Sequence, residues 1–278
     1  MKPLFAAIGF LLLAGTAQAD TWEVLDKEGV SWVSTDNILT FYGFSSIQTD
    51  REEQTVELIS PGLRLLFPYG EKPGIMRANG VRFRLFHSLL HDPETGNVLV
   101  RVPDLQKIVD SVVRPSFQST GGEIHSLALT VAPQPGLPLV DHSSLDRAVR
   151  SAGWTLESMD DPESSPEFLL EILLSHSPAA EQSSIQTTWQ WHLLGTYGSS
   201  RWANAAPLNL ATVLHSGLVS TLHWDDLALI PSDPVKFDAE RPFRIILDLQ
   251  LADPEKDFPE FCQEISRRLA KYRQLTSP

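Results

Sequence analysis

The sequence predicts an α/β protein, with a C-terminal sheet flanked by helices on both faces and a small α+β module in front of it. Three observations carry this. From Leu127 onward, apolar strand-like runs alternate with helix-spaced segments. Before Pro115 the apolar runs are short, alternate with period two and are separated by turn residues. Between the halves, Pro115 to Gly122 is rich in Ser, Thr and Gly and reads as a linker. The expected division is 1–19 as a leader, 20–115 as the small module, 116–122 as the linker and 123–278 as the larger domain.

The elements follow in order. Met1-Lys2, the apolar stretch Leu4 to Ala14 and the small-residue end Ala17-Gln18-Ala19 form a secretory signal with cleavage before Asp20. The expected destination is outside the cytoplasm, periplasmic or secreted. No later segment has roughly 18 apolar residues in a row, so no membrane span is expected. Cys262 is the single cysteine. It is too far from the cleavage site to carry a lipid anchor and has no partner for an internal disulfide.

In the first module, Val30-Ser31-Trp32-Val33 is a strand, and Ser34 caps a short helix through Ile38, Leu39 and Tyr42 that stops at Gly43. Thr55 to Ile59 and Leu63 to Phe67 flank the turn Ser60-Pro61-Gly62 as a hairpin. Val81 to Leu85 alternates, with its arginines outside. Val98 to Val102 is a further strand, followed by a helix from Pro103 to about Asp110. In the second module, Leu127 to Val131 is a buried strand, and Ser143 or Ser144 caps a helix that ends at Gly153. Trp154 to Leu156 and Phe168 to Leu174 are strands, with a polar loop from Asp160 to Pro166 between them. Ile185 to Leu194 is one alternating strand with Trp189 and Trp191 on one face. Leu210, Val213, Leu214, Gly217 and Leu218 have helical spacing, as do Phe258, Phe261, Cys262, Ile265, Leu269 and Tyr272. Phe243 to Leu249 is the apolar strand between those helices.

Charge narrows the partners. With 22 basic against 35 acidic residues and a net charge of −13, neither nucleic acid nor an anionic membrane is favoured, because both reward clustered Lys and Arg. A composition 42% hydrophobic and 21% charged is that of a globular chain.

Val100-Arg101-Val102-Pro103-Asp104-Leu105, following the Asn79-Gly80 turn and the hairpins, resembles the small module at the front of copper amine oxidases and of many bacterial wall hydrolases. That resemblance implies a docking or spacing domain without copper chemistry. The order of segments after Leu127 resembles the zinc-dependent N-acetylmuramoyl-L-alanine amidases. These cut peptide stems from peptidoglycan with three protein ligands on zinc and a carboxylate that moves the water's proton.

The family's first ligand is a His in a DPGHGG turn, which corresponds here to Ala132-Pro133-Gln134-Pro135-Gly136, and neither Gln134 nor Pro135 replaces it. The second ligand has no counterpart; Asp141 and His142 are the metal-capable groups nearby. The third, in a motif like SIHFNA, corresponds to His176 in Leu174-Ser175-His176-Ser177-Pro178-Ala179. Aligned through Asp253-Pro254-Glu255, the late catalytic Glu falls on Leu247, and a one-residue slip offers Asp248 as a base. In a strand that slip also turns the side chain to the other face of the sheet. The resemblance thus implies a fold whose packing persists while its zinc site is lost.

Other constellations have simpler readings. His87 and His91, four apart, lack a third ligand. His215 and His223 flank a helix and read as surface residues. Ser143, Ser144 and Asp146 near His142 lack a nucleophile elbow. Trp189, Trp191, Trp202 and Trp224 are either core or a glycan-stacking platform. The expected protein is therefore an exported, amidase-like pseudoenzyme without a cofactor that binds peptidoglycan or a cell-wall hydrolase. Two alternatives stand beside it: an active zinc amidase with rearranged ligands His142, His176 and Asp141, and a structural scaffold of the cell envelope.

Overall fold

The computed structural model describes residues 22–70, 74–115, 125–133, 137, 141–161, 164–190, 192–193, 200–233, 235–236 and 242–276. The side chains of 142, 192–193, 200–205 and 235–236 are outside that description. The leader, the linker, the turn at Gln134–Gly136, Trp191 and the Trp202 and His142 side chains therefore lie outside the described residues.

The first half opens with β1 (Leu25–Lys27) and β2 (Val30–Ser34), which leads into α1 (Thr35–Tyr42). Ser34 accepts from the Asn37 amide at 3.2 Å, and Gly43 closes the helix in the left-handed conformation at φ 70°, the pairing of caps read from the sequence. Next come β3 (Ser46–Asp50), β4 (Thr55–Ser60), β5 (Leu63–Pro68), β6 (Ile75–Ala78) and β7 (Val81–Arg84). They form an antiparallel meander. Asn79 and Gly80, at φ 49° and 88°, supply the positive φ that the tight β6–β7 turn needs. After β8 (Leu90–His91) and β9 (Val98–Arg101), the chain turns through α2 (Val102–Asp104), a π-helical turn (Leu105–Val109) and α3 (Asp110–Val113). Strands β1, β2, β9 and β8 make a small sheet of their own.

The second half contains β10 (Ser126–Pro133), α4 (His142–Ser151), β11 (Thr155–Glu157), β12 (Phe168–His176), β13 (Ser184–Trp189), β14 (His192–Leu193), α5 (Ser200–Leu222), β15 (Asp225–Pro231), β16 (Val235–Lys236), β17 (Phe243–Leu251) and α6 (Pro254–Thr276). The expected Ile185–Leu194 strand is two pieces. β13 ends at Trp189, and β14 pairs instead with β16. The cap of α4 is Asp141, upstream of the expected Ser143 or Ser144. A carboxylate there accepts the Ser143 amide and both serine hydroxyls at once, which a serine cannot do.

The large sheet has eleven strands in the order β11-β10-β12-β17-β13-β15-β7-β6-β5-β4-β3. It therefore draws on both halves of the chain. β15 joins β7 in parallel through the pair Leu229↔Phe83, so the alternating pattern of the first half and the apolar strands of the second belong to one surface.

The α/β class, a large mixed sheet with helices, is as the sequence predicts. Among the described residues α4, α6 and α5 lie side by side in one layer: α6 touches both neighbours and β17, while α5 covers β13, β15 and β17. Phe168, Leu170, Ile172 and Leu174 of β12 and Ile245, Leu247 and Leu249 of β17 point into that layer and are buried. They meet Phe258, Phe261, Ile265, Leu269 and Tyr272 of α6 in one apolar core. Each such side chain contributes about 1.5–3 kcal/mol of transfer free energy. Trp189 and Trp224 belong to this core, Trp224 stacking on Phe261 at 6.2 Å. α5 and α6 approach closely at Gly217, where a Cβ would collide with the Arg268 side chain. Residues of the opposite parity, including Glu171, Leu173, Arg244, Ile246 and Asp248, face the other side and are half-buried or exposed.

Candidate functional site

In an open α/β sheet, ligands gather beyond the carboxyl ends of the parallel strands. Here those ends are Pro133 of β10, His176 of β12 and Leu251 of β17. The candidate residues reach this edge by different routes. Asp141 stands at the N-terminus of α4, exposed, and its carboxylate is turned back on its own helix. It accepts from the Ser143 amide at 3.0 Å and from the Ser143 and Ser144 hydroxyls at 2.6 Å each. Those hydroxyls hold its pKa below the usual carboxylate range. His176 is exposed at the last position of β12, where it pairs in register with Leu251.

Asp248 is elsewhere. Its register partners are Leu173 and Gln186, and it lies on the side of the sheet away from α4, α5 and α6, whereas its neighbour Leu247 is fully buried beneath those helices. Burial alone pushes the Asp248 carboxyl above its ordinary value. His142 opens α4 beside Asp141. Ser143 and Ser144 serve as partners of Asp141 and do not contact a histidine in any described hydrogen bond.

Zinc needs three or four donors near 2 Å with lone pairs free to bind it. Among the described residues no group of three His, Cys, Asp or Glu side chains is placed to hold a metal. Asp141 is already engaged by three donors, and Asp248 faces away from the layer that Leu247 enters. The described donor set does not fit a zinc site.

A groove of about 700 Å³ runs along α4 and α6, lined by Asp141, Ser144, Arg147, Phe258, Cys262 and Arg267 among others. At its floor the buried Cys262 thiol is pushed up to about 12 by burial and by the nearby Asp141 charge, so it is a poor nucleophile. Close by, Ser183 donates to Asp257 at 2.6 Å, and Asp257 also accepts from the Asp253 amide at 2.9 Å. This pins the β17–α6 turn at the edge of the site.

Three histidines are more structured than the sequence indicates. His215, read as a surface residue, is 0% exposed. It is wedged between the Thr187 hydroxyl at 2.8 Å and the Asp226 carboxylate at 3.0 Å. Because the carboxylate only accepts, Nε2 carries the proton on that side. Its position on α5 between Leu214 and Leu218, both core residues, is the signal that places it inward. His125 bridges Glu167 at 2.9 Å and Thr276 at 2.7 Å while stacking on Trp154. His87 is held by buried Asp104 at 2.8 Å, and His91 stacks on Tyr69, so the His87–His91 spacing does not form a pair. His223 is exposed, as expected.

No protein-family model matches the sequence, and no curated protein does either. Solved structures that resemble the chain are N-acetylmuramoyl-L-alanine amidases. AmiC2 of Nostoc punctiforme aligns with 9% identity and a TM-score of 0.34, over 55% of this chain and 96% of its own. An amidase from Clostridium difficile 630 aligns with 12% identity and a TM-score of 0.33, over 54% and 95%. The CwlD amidase from Clostridioides difficile, solved in complex with the GerS lipoprotein, aligns with 11% identity and a TM-score of 0.34, over 54% and 96%.

Proposed function

We propose that this chain is an exported, amidase-like protein without amidase activity that works by binding peptidoglycan or a cell-wall enzyme. The single observation that carries the reading is the separation of the candidate groups. Asp141 is spent on capping α4, His176 is exposed at a strand end with no partner among the described residues, and Asp248 lies across the sheet from the helix layer. A hydrolytic zinc site needs its ligands and its base converging on one open coordination position. The sequence meanwhile keeps the strands and helices that build the core, which is what a fold retained for binding requires. The groove between α4 and α6 offers a contact surface along those helices.

The purified mature protein tests this in three measurements. Zinc content is expected below stoichiometric, a peptidoglycan zymogram is expected to stay unclear, and the protein is expected to sediment with insoluble peptidoglycan or with a wall hydrolase. One tightly held zinc per chain with chelator-sensitive clearing would establish the rearranged-ligand amidase instead. Absence of any sedimentation would leave the scaffold reading.

A further inference from the structure

The helix-free side of the first half carries an arrangement that the strand ends do not explain. Arg77 of β6 and Arg82 of β7 are direct register partners, so their side chains rise side by side from the same side of the sheet. Arg84, two residues along β7, stands on that side too and is exposed. Neighbouring strands are roughly 4.8 Å apart and alternate residues along a strand roughly 7 Å. Three guanidinium groups are thus rooted in a compact triangle.

Like charges directly opposite each other destabilise a strand pair. Among the described residues, none of the three arginines has an ion-pair partner. Glu57 and Glu171, which also lie on this side, are taken by Arg64 at 2.8 Å and Arg244 at 2.6 Å. The Nε atoms of Arg77 and Arg82 are buried with no hydrogen-bond partner. Arg82 spends one terminal nitrogen on the Asp226 carbonyl at 3.4 Å. Buried, unpartnered Nε donors in a repelling pair lack the oxygen atoms that would satisfy them.

We propose that Arg77, Arg82 and Arg84 form an oxyanion-binding site for a small ligand carrying a phosphate monoester. A carboxylate is satisfied by one guanidinium fork, whereas a phosphate dianion with three terminal oxygens uses three. The net charge of −13 repels a long polyanion but leaves a local cluster free to hold a single charged group. The site is independent of the α4–α6 groove and of the proposed wall binding, so either can fail without the other.

The test uses the whole mature chain and inorganic phosphate as the probe, at constant ionic strength maintained with chloride. Phosphate is expected to raise the thermal midpoint, and acetate to leave it unchanged. Arg77→Gln is expected to melt higher than wild type without phosphate, because the like-charge pair is gone, and to lose the phosphate increment. Calorimetric titration of Arg82→Gln, and of the exposed Arg84→Gln, is expected to show phosphate affinity reduced about tenfold or more, as charge-assisted hydrogen bonds are lost. The proposal is overturned if wild type ignores phosphate, if the variants respond to it equally, if acetate acts as strongly, or if a single-stranded oligonucleotide binds where phosphate does not.

Discussion

Replacing Asp226 by Ala should loosen the seam of the large sheet more than any other single change on its surface. The Asp226 side chain accepts from His215 Nε2 at 3.0 Å, from the Arg82 amide at 2.9 Å and from the Ala228 amide at 2.8 Å. It thereby ties α5, β7 and β15 together where the two halves meet through Leu229↔Phe83. The largest loss is at His215, which has no route to water; a buried donor left unpaired costs about 1–3 kcal/mol. The two amides add about 0.5–1 kcal/mol each, giving a total of about 2–5 kcal/mol. In a chain of this size about 1 kcal/mol moves the thermal midpoint by about 2–4 °C, so a drop of about 4–20 °C is expected. Hydrogen exchange supplies the local readout: protection of the Arg82 amide should fall at least about tenfold. An unchanged midpoint together with unchanged Arg82 protection would refute the reasoning. The pH dependence follows from the same contacts. Burial raises the Asp226 pKa, but the hydrogen bonds from His215 and the Arg82 amide outweigh it and leave the pKa lowered. The stabilisation is thus fully present above the unfolded value of about 3.9 and is lost as pH falls through the lower folded value. The gap between wild type and Asp226→Ala should close in that acid window.

Three further outcomes can be checked. Cys262, with its thiol pushed up to about 12, should resist iodoacetamide at pH 8 in the folded protein and react fully in urea; rapid labelling of the native chain would contradict its burial. Thr276→Val removes the hydroxyl that meets His125 Nε2 and should cost about 1–2 kcal/mol in urea unfolding, whereas a neutral result would mean that the C-terminal turn of α6 is not clamped there. Asp248→Asn should stabilise at neutral pH. The folded Asp248 pKa is raised by burial, so ionisation opposes folding progressively above the unfolded value of about 3.9, and the advantage of the variant should vanish below it.

How much of this was legible depended on whether one rule acted alone. The Ser34 cap, the Gly43 stop and the Ser60-Pro61-Gly62 hairpin were readable because each obeys a local rule that tertiary packing does not disturb. β15 escaped because its alternation is broken. Ala228 adopts φ 94°, the register slips between Ile185 and Thr187, and Ala228 and Leu229 are buried in succession while Leu227 is 47% exposed. A bulge of this kind erases the period-two pattern. The long Ile185–Leu194 strand was overcalled for the opposite reason: alternation continued past Trp189 although the pairing partner changed. At the site, strand parity placed Asp248 opposite Leu247 correctly. The Asp226–His215–Thr187 contact was invisible because it joins three elements distant in sequence, and only the inward position of His215 on α5 hinted at it.

The junction of β7 with β15 at Phe83 and Leu229 has a practical corollary for anyone dissecting the molecule. Severing the chain around 116–122 would not part the halves, since sheet continuity runs through β7 and β15 and bypasses that stretch. Producing residues 123–278 alone would strip β15 of its neighbour and leave an open row of amide and carbonyl groups, an invitation to edge-on stacking between copies. In the intact chain β7 covers that edge of β15.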